Sequence, residues 1–99
     1  MPFGAFLNAI PPAVFILIHL VAFAIGAYFA NRAFKAGVAV LAWGFVLYAV
    51  AEIFYMTYHL DWTVFLFAHT IAEVLDLVAF ILVFSAAAQA GLEKLSRAS

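Results

Sequence analysis

Residues 62–88 read WTVFLFAHTIAEVLDLVAFILVFSAAA, an apolar run in which the only ionisable side chains are His69, Glu73 and Asp76. At about 1.5 Å of rise per residue, a helix of this length crosses the ~30 Å hydrocarbon layer of a bilayer with turns to spare. A helix apolar around most of its circumference is solvated by lipid or by protein, not by water. Residues 12–30 and 38–58 have the same character. The chain is therefore predicted to be all-α, an integral membrane protein whose three transmembrane helices form one domain over residues 1–99.

Composition points the same way. Of the 99 residues, 71% are hydrophobic and 9% charged, and the mean hydropathy is +1.23. A water-soluble domain this small needs more polar surface than that, because surface dominates volume at this size. There is no cysteine, so neither a disulfide framework nor a thiolate metal site is available. Four basic residues and a net charge of −1 argue against a nucleic-acid partner and against a polybasic lipid-binding surface. The start of the chain lacks the basic residues of a signal peptide, and its apolar stretch runs on too far.

Punctuation fits three helices. Pro11 and Pro12 suit a first helical turn, Asn31 and Gly37 bracket the first connection, Asp61 is placed to cap the third helix and Gly91 to end it. Arg32 and Lys35 lie in the first connection, Lys94 and Arg97 beyond the third run, and the other two exposed segments carry no Lys or Arg. The positive-inside rule then puts the C-terminus in the cytoplasm and the N-terminus outside, consistent with a plasma (inner) membrane. Tyr58 and Trp62 flank the outer turn and Tyr28 lies near the opposite surface, as interfacial aromatics do.

Five ionisable residues inside the spans carry the functional information. A short second connection predicts a tight antiparallel hairpin, which sets Glu52 level with His69 and Tyr48 level with Glu73. His19 enters from the first helix at a similar depth. Tyr48, Glu52, Tyr55 and His59 recur at intervals of four, three and four, and His69, Glu73 and Asp76 at four and three. Each set is one helical face, and facing polar stripes turn toward each other and away from hydrocarbon. Three acids against two imidazoles must in part be protonated or be neutralised by a bound cation.

Several functions compete for this layer. His19, Glu52, His69 and Glu73 form a mixed imidazole and carboxylate set suited to zinc, iron, manganese or copper(II), although the Glu-x-x-His pair of di-metal bundles is missing. Haem b held by His19 and His69 is a variant, opposed by an acid crowding the macrocycle. Asp76, Glu73, His69, Glu52 and His59, with Tyr48 and Tyr55 as hydroxyl donors, form a ladder of the kind that relays protons, but only through half the membrane. The bland alternative is a purely structural accessory subunit or assembly building block, its polar groups serving as packing glue. Ala22, Gly26 and Ala30, at intervals of four, offer a close helix contact in every case. Ser85, Thr57 and Thr70 have no base beside them and there is no phosphate-binding glycine loop, so the chain is not expected to be an enzyme on its own. Its expected partners are lipid and other membrane subunits.

Overall fold

The computed structural model describes residues 3–98. A short 3-10 turn, Ala5–Ala9, precedes three helices: α1 Pro12–Lys35, α2 Ala39–His59 and α3 Phe65–Ala98. All three are long and apolar enough to cross a membrane. Pro12 takes the first helical position of α1, where a missing N–H leaves no bond unmade.

The first two helices end by the same device. Gly37, at φ 80°, donates its N–H to Phe34 O at 3.1 Å, and Val38 donates to Ala33 O at 3.0 Å. Asp61, at φ 62°, repeats the pattern with Asp61 N–H to Tyr58 O at 3.0 Å and Trp62 N–H to Thr57 O at 2.9 Å. A left-handed residue with this bond pair closes a helix C-terminus. Asp61 therefore terminates α2 and does not cap α3, which begins only at Phe65. The chain between them is held by Thr57, whose hydroxyl donates to Phe54 O at 2.6 Å and meets the Thr63 hydroxyl at 3.0 Å.

Two other boundaries differ from the sequence expectation. Helix α1 continues through Asn31 to Lys35, its last turns supported by an Arg32 Nη1 to Tyr28 hydroxyl bond of 2.9 Å and by basic side chains at the negative end of the helix dipole. Helix α3 runs straight through Gly91. One glycine costs a helix only about 1 kcal/mol relative to alanine, and Ala90, Leu92, Glu93, Lys94 and Leu95 around it are strong helix formers.

The three helices lie side by side. Helix α2 packs against both others, whereas α1 and α3 share no Cα pair within 8 Å among the described residues. The extents of 57 × 29 × 20 Å are those of a slab, not a closed bundle.

Its core consists of small residues. Every buried apolar side chain among the described residues is alanine: Ala30 and Ala33 on α1, Ala42, Ala49 and Ala51 on α2, Ala68, Ala72 and Ala79 on α3. Gly26 and Gly44 are buried with them. On α2 the pairs Ala42/Ala49 and Gly44/Ala51 each recur after two turns, on nearly opposite sides. Two seams of small residues let the backbones approach closely where no difference in solvation separates side chain from lipid. The outward faces carry exposed Leu17, Val21 and Ile25 on α1 and Leu66, Leu77 and Ile81 on α3.

The two glycines differ in how much a methyl group would disturb. A Cβ at Gly44 would lie 2.7 Å from Val83 Cγ2 and 3.2 Å from the Ala79 carbonyl oxygen. At Gly26 the nearest atoms are Tyr48 Cδ1 at 2.9 Å and Ala49 Cβ at 3.3 Å. The first obstruction includes helix backbone, the second is mainly a side chain that can move. Gly44→Ala is expected to destabilise the fold by about 1–3 kcal/mol, and Gly26→Ala by less. Thermal unfolding of the two variants in detergent, followed by circular dichroism, measures the difference.

Candidate functional site: the polar layer around α2

The buried stripe of α1 explains where its polar group goes. Phe15, His19, Ala22, Gly26, Ala30 and Ala33 recur at intervals of three or four and face α2. Towards the α1–α2 turn the stripe is small and the helices approach closely. Towards the α2–α3 turn it carries rings.

Four rings form a column there, alternately from α1 and α2. Phe15 stacks on His59 with centroids 5.1 Å apart, His59 on His19 at 5.3 Å, and His19 on Tyr55 at 5.0 Å, with interplanar angles of 7°, 25° and 15°. From within this column His19 Nδ1 meets Glu52 Oε2 at 2.5 Å. The side chain of Glu52 is 10% exposed and that of His19 20%. Glu52 extends the α1-facing seam of Ala42 and Ala49, at a position that close packing would fill with another small residue.

Tyr55 joins this pair to α3. Its ring lies on His19, and its hydroxyl donates to Glu73 Oε1 at 2.9 Å. Asp76 sits one helical turn further along α3. Its Oδ1 is buried and is the one such side-chain atom with no hydrogen-bond partner among the described residues. His69 stacks on Phe65 of its own helix, with centroids 5.0 Å apart.

The layer is assembled differently from the expected set of four ligands. His19 and Glu52 meet directly, Glu73 is engaged by Tyr55, and His69 turns to Phe65. No three His, Cys, Asp or Glu side chains among the described residues come together in a way that could hold a metal ion. The displacement follows from the α2–α3 connection. Because α3 begins at Phe65 and not near Trp62, the hairpin register slips by about one turn. Glu73 then lies near the level of Glu52 and not of Tyr48, within reach of the Tyr55 hydroxyl one turn closer to the connection, and His69 lies nearer the turn than Glu52 does. His19 and His69 are on the two outer helices with α2 between them, so the structure does not bring them to one gap as paired axial ligands of a haem. His59, expected as the last member of a proton ladder, lies between Phe15 and His19 in the ring stack. Ala22 is half-buried, while Gly26 and Ala30 are buried on the seam as their spacing suggested.

Some contributors were not singled out in the sequence. Phe15 continues the His19 stripe one turn earlier and caps the ring column. Gly44, Ala51, Ala68, Ala72 and Ala79 form the α2–α3 seam, and recurrence of small residues at intervals of four or seven was the signal that could have found them.

On one face of the slab, towards the α1–α2 turn from the acids, an open apolar cavity of about 380 Å³ lies over α2 between the outer helices. Gly26 and Gly44 contribute to its lining, with aromatic side chains from all three helices.

Compared with protein-family models, curated proteins and solved structures, the chain matches none of them.

The His19–Glu52 contact is expected to contribute directly to stability. In a double-mutant cycle with His19→Phe and Glu52→Gln, the coupling energy should be about 0.6–2 kcal/mol, the range of interhelical hydrogen bonds in membrane proteins. Unfolding of the four proteins in detergent, titrated with denaturant, measures it. Additive single effects would mean that the two groups do not interact.

Proposed function

We propose that this chain is a small integral membrane subunit that works in an oligomer or larger membrane complex and carries protons through its layer of acids and imidazoles. The N-terminus and the α2–α3 turn lie outside, and the C-terminus in the cytoplasm. One observation carries the proposal: a buried carboxyl, Glu52, and an imidazole, His19, face each other where the alanine and glycine seam of α1 and α2 gives way to stacked rings. Packing alone has no use for a carboxyl there. An acid in hydrocarbon costs several kcal/mol unless it finds a partner, and alanine would close the same seam without that cost.

The chemistry available suits proton transfer. His19 and Glu52 can exchange one proton across a single hydrogen bond, each serving as donor or acceptor according to its protonation state. The Tyr55 hydroxyl offers a second such step to Glu73. His59, at the end of α2, is the titratable member of the column nearest the external surface, and Asp76 is the deepest acid. No comparable side chains continue toward the cytoplasmic surface, so another subunit or another copy has to complete the path.

Proton movement is testable with the purified full-length chain in liposomes loaded with a pH-sensitive dye and driven by a potassium diffusion potential. The wild-type chain should acidify or alkalinise the lumen according to the sign of the potential. Glu52→Gln and Glu73→Gln should slow the change by about tenfold or more. Gln variants as fast as wild type would refute proton transfer through this layer and leave it as packing glue, and a wild-type rate equal to that of empty liposomes would refute transfer by copies of this chain alone.

The absence of native cysteine makes the topology accessible to labelling without background. With the membrane sealed, Trp62→Cys should react with an impermeant maleimide added outside, and Ala36→Cys only after permeabilisation. The reverse pattern would invert the orientation.

A further inference from the structure

The apolar cavity and the acids beside it have a joint consequence that proton transfer does not require. Five aromatic side chains line the cavity: Phe29 from α1, Phe45 and Tyr48 from α2, Phe80 and Phe84 from α3. Its depth depends on Gly26 and Gly44, which leave the helix surfaces bare between those rings. Tyr48 lines the cavity at the end nearest the acids, one helical turn from Glu52 on α2. On α3, Asp76 precedes Ala79 and Phe80 by one turn and so shares their face.

We propose that this cavity binds a lipophilic organic cation, its apolar body among the aromatic rings and its positive charge toward Asp76. Charge complementarity selects this occupant. Glu52, Glu73 and Asp76 are three acids, and the imidazole of His19 engages only the first. The Tyr55 hydroxyl occupies an oxygen of Glu73 without balancing its charge. Asp76 Oδ1 is buried and has no hydrogen-bond partner among the described residues. Asp76 does not itself line the cavity but stands one helical turn before Ala79 and Phe80, which do, so a cation at that end would lie beside its carboxyl, and aromatic faces favour a positive charge above them.

Other occupants fit less well. A second copy related by a two-fold axis along the membrane normal would set each acid cluster against its own counterpart at the same depth. A transmembrane helix is about 10 Å across, too wide for a cavity of 380 Å³ to seat along its length. That volume falls instead within the ~300–1,000 Å³ of small-molecule sites. A neutral quinone would satisfy the apolar walls but not the surplus of acids.

Isothermal titration of the detergent-solubilised full-length chain with tetraphenylphosphonium tests the proposal, with tetraphenylborate as an isostere of opposite charge. The cation should bind saturably and the anion should not. Asp76→Asn should weaken cation binding by about tenfold or more. Phe84→Leu, at an exposed rim position that the fold does not depend on, should weaken it severalfold while the circular dichroism spectrum is unchanged. Equal binding of the two isosteres, displacement of the cation by a short-tailed quinone at equal concentration, unchanged affinity in Asp76→Asn, or no saturable binding would each overturn the proposal. The titration needs no proton gradient, so failure here is distinguishable from failure of proton transport in liposomes.

Discussion

A carboxyl surrounded by apolar groups must meet a hydrogen-bonding partner or lose its charge, and only α2 touches both other helices. These two constraints together shape the polar layer. Glu52 lies on the central helix and takes its partner, His19, from one neighbour. Tyr55, one turn nearer the end of α2, sends its hydroxyl to the other neighbour at Glu73. The outer helices share no Cα pair within 8 Å among the described residues, yet their ionisable groups are joined through side chains of α2. A change at Glu52 or Tyr55 should therefore be felt on both sides of the slab, whereas His69 reaches α2 only indirectly, through Phe65 and its edge contact with Tyr58.

The alanine and glycine seams are the mechanical complement of that layer. Where the helices need only to adhere, Gly26, Ala30, Ala42, Ala49 and their counterparts on α3 bring backbones together without large side chains. Toward the α2–α3 turn the α1–α2 seam opens to admit four stacked rings and a carboxyl. One stripe of α1 thus changes from ring and imidazole to alanine and glycine over five turns. Beside the acids, the same small residues leave the aromatic cavity bare. Close packing, proton-bearing groups and an open apolar site are three uses of one arrangement around α2.

Much of this was legible in the sequence. Three long apolar runs defined three helices, because length and hydropathy are local properties. The inward turn of His19 and Glu52 was also legible, since helical spacing places polar stripes on faces and unsatisfied groups in hydrocarbon are costly. The register was not. It depends on where α3 begins, and Asp61 presents the same sequence signal whether it caps a helix start or takes the left-handed position that ends one. The three residues between a start near Trp62 and a start at Phe65 amount to almost one turn. That turn brings Glu73 within reach of the Tyr55 hydroxyl and moves His69 away from the level of Glu52. Gly91 misled for a related reason, because a glycine ends a helix only when the backbone after it reverses. The ring column was hidden because stacking depends on side-chain rotamers that spacing alone does not specify.

The whole arrangement rests on a direct contact between the imidazole of His19 and the carboxyl of Glu52 across the α1–α2 seam. Solid-state nuclear magnetic resonance on the full-length chain in lipid bilayers, with ¹⁵N-labelled histidine and ¹³C-labelled glutamate, measures that contact where it has to exist. A through-space correlation between a His19 ring nitrogen and the Glu52 carboxyl carbon, absent in His19→Phe, is the predicted result. If the Glu52 carboxyl correlates with no histidine nitrogen, the two helices are not joined at this point and the polar layer described above does not exist in the membrane.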